Sequence, residues 1–160
     1  MFSIFNILFD LSVVYSEDKK SKVFTEACTR LDNLLQKFKC ITKELEGCDD
    51  YQYHKAYISG IQEYLEAYMF YKYQREETIP THSDINERFT FPMENINNET
   101  CASVARNSVL TCTVDDILSG MGDFTGEMMR KCINNLGAGY IDTCFKICAF
   151  VRSIYVGFLG

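Results

Sequence analysis

Proline and glycine are scarce in this chain, two and nine among 160 residues. Their scarcity argues against a many-turned sheet protein, and the long stretches free of turn residues read as helices. Histidine is equally short, with two residues, and none of the eight cysteines stands in a C-x-x-C pair. A structural zinc site is therefore disfavoured. Positive charge is in deficit too: 16 Lys and Arg against 22 Asp and Glu leave a net charge of -6 and a pI near 4.9. Gripping nucleic acid by charge alone needs clustered Lys or Arg, so a polyanion partner would require metal or a basic partner subunit. The small groups Lys19, Lys20, Lys22 and Lys37, Lys39, Lys43 read as solvated helix flanks. The apolar opening "MFSIFNILFDLSVVY" is too short for a membrane span and carries Asp10. It also lacks the basic n-region and small-residue cleavage pair of a signal peptide. Neither secretion nor a membrane partner is expected. Cys28, Cys132, Cys144 and Cys148 lie among apolar residues at helical spacing and read as small buried hydrophobes in a reducing compartment.

What is present is apolar mass: 47% hydrophobic residues, with 12 Phe and 10 Tyr, suffice for one domain with a real core. Phe24, Ala27, Cys28, Leu31, Leu34, Leu35, Phe38, Ile41 and Leu45 recur at threes and fours, predicting an amphipathic helix that Gly47 ends. Asp49 or Asp50 caps a second helix from about Tyr51 to Glu77, stopped by Ile79-Pro80. Thr81 and Asp84 are spaced like the capping box of a short helix through Arg88. The Asn-rich stretch near 92–112 reads as a surface loop. Thr113 and Asp116 form another capping-box spacing. It opens a helix with the apolar face Ile117, Leu118, Met121, Phe124, Met128, Cys132 and Leu136, stopped by Gly137 and Gly139. A last helix starts near Asp142 and continues through Phe145, Cys148, Ala149, Arg152 and Tyr155. The organisation is thus a lead-in over 1–22 and one helical domain over 23–160.

Two pairs of carboxylates stand out. Glu63 and Glu66 in "GIQEYLEAYMFY", and Asp123 and Glu127 in "GMGDFTGEMMRKCIN", are spaced by three and four. At about 3.6 residues per turn each pair shares one helix face. A wet face is the ordinary reading, and the stripe Asp116, Asp123, Glu127, Arg130, Asn134 fits it. Phe70 and Tyr73, however, share the side of Glu63 and Glu66, and a helix aromatic on both sides is covered on both. Covered carboxylates need a metal or Arg nearby. Hard oxygen donors suit Mg or Mn. A di-iron site requires Glu-x-x-His, which neither His54 nor His82 completes. His54 reads as a helix-start or interface residue and His82 as a loop residue. No nucleotide-binding loop, G-x-S-x-G elbow or supported Cys-His pair is present.

The segments "HKAYISGIQEYLEAYMFYKYQREETIPTHSDINERFTF" and "VDDILSGMGDFTGEMMRKCINNLGAGYIDTCFKICAFVRSIYVGF" resemble the translin family, in particular its translin-associated factor X members. The likeness rests on H-[KR]-A, G-[IL]-Q-E-Y-x-E-A, D-E/D-I-N, V-D-x-x-L-x-G and D-x-T-G-E-x-M-R-x-C-I-N in that order. A weaker match extends through "FTEACTRLDNLLQKFKCITKEL". The resemblance implies an all-α, translin-like helical bundle. It implies the catalytic subunit of a metal-dependent endoribonuclease that forms a hetero-oligomer with translin. Such a complex removes passenger strands in RNA silencing and processes other small RNAs, in cytoplasm or nucleus. The substrate would be single-stranded RNA, with single-stranded DNA as a further ligand. The resemblance also assigns Glu63, Glu66, Asp123 and Glu127 to the Mg site, where Mn is an alternative. Two departures are expected: most of the family's first helix, with its basic nuclear-targeting segment, and its final helix are missing from this sequence. Two rival functions remain open. One is a non-catalytic subunit that binds translin or nucleic acid as a scaffold. The other is an all-α Mg-dependent nucleotide pyrophosphohydrolase, which also carries E-x-x-E and acidic pairs on helices.

Overall fold

In the computed structural model, the described residues are 17–92 and 107–159, and they form five helices and one short strand pair. The helices are α1 (Glu17–Glu44), α2 (Asp50–Glu76), α3 (His82–Arg88), α4 (Val114–Gly137) and α5 (Ile141–Leu159). An all-α architecture is thus the observed one. Helix α1 begins at Glu17, ahead of the Phe24 start read from periodicity, and passes through the boundary drawn between residues 22 and 23. The rest of the 1–22 lead-in lies outside the described residues.

Local chemistry sets the helix ends. The Asp49 side chain accepts the Tyr51 N–H at the start of α2, and Glu77 ends that helix in the left-handed region at φ 56°. Both expected capping boxes form, Thr81 with Asp84 and Thr113 with Asp116, each satisfying two otherwise orphaned N–H groups. Gly139, at φ 86°, turns the chain between α4 and α5 where a side chain would be strained.

One part of the expected loop over 92–112 is different. Asn107–Val109 forms strand β2, antiparallel to strand β1 (Thr90–Pro92), with Phe91 opposite Ser108. Two three-residue strands carry no readable alternation, and their partners lie far apart in sequence. The intervening residues, 93–106, are outside the description.

Helix α2 is the central element. Ile61, Tyr64, Leu65, Ala67, Tyr68, Met69, Phe70 and Tyr71 are all buried, so it is covered on more than one side, as its two-sided aromatic character predicts. Helix α1 supplies Ala27, Leu31 and Phe38 to the same core. Phe38, Tyr64 and Phe89 meet edge to face at centroid distances of 5.5–5.7 Å. The most extensive helix contact is between α2 and α4, followed by α4 with α5. Helices α2 and α4 run in the same sense, since His54 meets Asp116, Leu65 meets Gly120 and Gln74 meets Lys131 in order.

Packing on two sides revises the expected face of α4. Ile117, Phe124 and Met128 are buried, whereas Leu118 and Leu136 are exposed. Asp116 and Lys131 are buried instead, at 1% and 7% exposure. On α5 the buried residues are Cys144, Ile147 and Ile154, while Phe145, Cys148, Arg152 and Tyr155 face outward. No helix among the described residues is long and apolar enough to cross a membrane.

Candidate functional site

The two carboxylate pairs sit on the two helices that pack most closely. A glycine allows that closeness. A Cβ on Gly120 would lie 2.9 Å from Leu65 Cβ and 3.1 Å from the Gln62 carbonyl oxygen, so the α4 backbone rests directly on α2. Glycine inside a helix costs about 1 kcal/mol relative to alanine. Here it permits a contact that no other residue allows. The contact falls at Gln62, Leu65 and Glu66 on α2 and one turn before Asp123 on α4, so both pairs issue from the same stretch of the seam.

Proximity appears in the electrostatics. Burial, and then the charges of Asp123, Glu127 and Glu63, push the Glu66 carboxyl up to about 7, and Arg130 opposes the shift. Asp123, Glu127 and Glu63 therefore lie near enough to Glu66 for their charges to act on it. Glu63 and Asp123 are exposed, while Glu66 and Glu127 are half-buried. Arg130 Nη2 stands 2.6 Å from Glu127 Oε2. That ion pair is not aligned as a hydrogen bond, and Glu127 Oε2 is buried from water with no hydrogen-bond partner.

A crowded carboxylate cluster fits a hard divalent cation in charge and donor type, but its Glu127 Oε2 already lies against the Arg130 guanidinium, which a cation would have to displace. Among the described residues, however, no three His, Cys, Asp or Glu donors stand together as a ready-made metal-holding set.

The two histidines lie apart from this chemistry. His54 Nε2 donates to Asp116 Oδ2 at 2.9 Å, and that carboxylate also accepts the Thr113 N–H and hydroxyl at 2.8 Å each. Asp116, read from sequence as part of a wet stripe, is instead a buried cap that ties the starts of α2 and α4. His54 is accordingly an interface residue. His82 opens α3 and contacts Asn86 at 3.1 Å. Sequence reasoning missed one support of the site, Gly120, and one buried charge farther along α4, Lys131. Gly120 was visible only as the last letter of V-D-x-x-L-x-G. Lys131, hydrogen-bonded to Gln74 and 5.9 Å from the Phe70 ring centroid, had no local signal.

Residues 6–160 match the family described as the Translin family. Translin-associated protein X of Rattus norvegicus and that of Mus musculus are each 35% identical over 158 residues, covering 94% of this chain and 54% of the relative. The protein of the same name from Pongo abelii matches over the same shares. The chain thus spans about half the length of the curated relatives it matches.

Proposed function

Because this chain belongs to the translin family, we propose that it serves as the catalytic subunit of a Mg-dependent endoribonuclease, assembled with a translin-like partner and acting on single-stranded RNA. The observation that carries this reading is the electrostatic crowding of Glu63, Asp123 and Glu127 around Glu66. Four carboxylates across a tight seam repel one another, and a divalent cation relieves that repulsion. Glu63, Glu66, Asp123 and Glu127 would hold Mg, or Mn in its place. When bound, the ion supplies activated water and neutralises charge on the phosphodiester. Glu66 and Glu127, half-buried, give the cluster a fixed inner edge, and exposed Glu63 and Asp123 leave its outer edge open to a strand.

The net charge of -6 adds a requirement. An acidic subunit repels RNA unless a basic surface lies beside it, and the relatives are named for association with translin. A translin-like partner is therefore assigned the RNA-holding surface.

The test is Mg-dependent cleavage of single-stranded RNA by this chain reconstituted with such a partner. Asp123→Ala or Glu63→Ala should lower the rate at least about 100-fold, the scale of removing a group that acts directly in the chemistry. Undiminished cleavage would sink the assignment. The absence of a preassembled three-donor set favours one rival, a non-catalytic subunit. Calorimetric titration of the assembled protein with Mg separates them, because a scaffold shows no saturable binding that the four carboxylates control.

A further inference from the structure

Two sulfurs meet across the seam between α4 and α5. Cys132 Sγ lies 3.8 Å from Cys148 Sγ, one on each helix. A disulfide requires about 2.05 Å, so the two sulfurs, already in contact, must close by a little under about 2 Å. Both residues line an open apolar groove of about 550 Å³ together with Met129, Ile133, Val151 and Tyr155. Cys148 is exposed, so small solutes reach it from water, while Cys132 is half-buried in the wall. Burial and neighbouring thiols push the Cys132 thiol up to about 11, which keeps it a neutral thiol near pH 7. A third thiol touches the same residue: Cys144 is buried, its S–H donates to the Cys132 carbonyl oxygen at 3.2 Å, and the Cys132 S–H faces the Cys144 carbonyl oxygen at 3.8 Å.

We propose that Cys132 and Cys148 form a dithiol oxidation site, which hydroperoxides convert into a disulfide that staples α4 to α5. The exposed Cys148 reacts first, giving up its thiol proton to the leaving peroxide oxygen. Its sulfur attacks one peroxide oxygen, the O–O bond breaks, and Cys148 becomes a sulfenic acid while the other oxygen leaves as water after protonation. Cys132 sulfur then attacks Cys148 sulfur, forming the S–S bond and breaking the S–O bond. The departing hydroxide takes the Cys132 proton and leaves as water. In sum, two thiols and one hydrogen peroxide give one disulfide and two waters, with sulfur oxidised and peroxide reduced. Thiol reductants reverse the change, so the site suits a reducing compartment that is transiently oxidised. The cross-link closes the turn around Gly139 and limits the unfolded chain, so the oxidised form is the more heat-resistant.

The experiment uses the full chain, reduced, treated with hydrogen peroxide, alkylated and digested without reductant. The expected product is a joined peptide pair, two hydrogens lighter than its separate parts and released by dithiothreitol, together with a raised Tm. Cys132 and Cys144 share one tryptic peptide, from Cys132 to Lys146, so variants must separate them. The joined pair should survive Cys144→Ser and also Cys40→Ser, an exposed thiol on α1. It should vanish in Cys132→Ser and Cys148→Ser, with helical circular dichroism unchanged in each. A pair lost in Cys144→Ser but kept in Cys132→Ser overturns the assignment. So does sulfenic or sulfinic acid at Cys148 with no cross-link, or dimerisation through Cys40 or Cys48.

Discussion

Helix α4 has two seams, and they are built on opposite principles. Against α2 it is drawn to backbone contact by Gly120, and polar groups enter the seam in pairs: His54 with Asp116, Gln74 with Lys131. Against α5 it is held by larger apolar groups. Phe124 packs on Phe150 at 6.2 Å, with Tyr73 of α2 joining from the other side at 4.4 Å, and farther along lies the groove where Cys132 meets Cys148. The first seam concentrates charge because close backbones leave no room for side chains to spread. The second leaves Met129, Ile133, Tyr155 and Phe158 exposed. Close approach therefore marks the site proposed to hold a cation, and open approach marks the site proposed to meet an oxidant.

The largest test breaks the tight seam. Gly120→Leu places carbon where Leu65 and the Gln62 carbonyl already lie, and overpacking of this kind should cost about 3 kcal/mol in urea unfolding. A variant as stable as the parent would show that the seam yields without resistance. Next comes the buried amine. Burial pushes Lys131 down to about 8 from 10.5, so the unfolded chain binds the extra proton between those values. The penalty is full below pH 8 and fades as pH rises towards 10.5, so stability attributable to Lys131 increases across that window. Lys131→Met should be the more stable protein at pH 7 by up to about 3 kcal/mol, with the difference shrinking by pH 10. A pH-independent difference would contradict burial of the charge. The smallest effect has the opposite sign. A Cβ on Gly126 meets nothing within 4 Å, so Gly126→Ala should stabilise α4 by about 0.5–1 kcal/mol through helix propensity alone. Destabilisation there would mean that the contrast between the two glycines is wrong.

Legibility followed the range of the interactions. Thr81 with Asp84 and Thr113 with Asp116 are three residues apart, and both caps formed as read. The face of α1 also formed as read, because Ala27, Leu31 and Phe38 repeat at helical spacing. Among the site residues, spacing placed each carboxylate pair on one face. It could not place the pairs beside each other, and the family resemblance supplied that expectation. Asp116 was misread because its burial depends on His54, distant in sequence. The face of α5 was misread because residues such as Phe145 and Tyr155 look like core by composition, yet no described element covers them. Strands β1 and β2 were missed because three residues carry no period and their register depends on a partner beyond the 93–106 stretch.

The sequence by itself determined the helical class, the capped starts of α2, α3 and α4, the family and the identities of the four carboxylates. These depend on hydrogen bonds within a turn or two and on residue order, which a linear chain already contains. Only the tertiary structure decided which faces meet. It set Gly120 on Leu65, gathered Glu63, Asp123 and Glu127 around Glu66, buried Asp116 and Lys131, and brought Cys132 to Cys148. Proton affinity, desolvation and thiol contact depend on distances across helices, and helical period leaves those distances undefined until the elements pack.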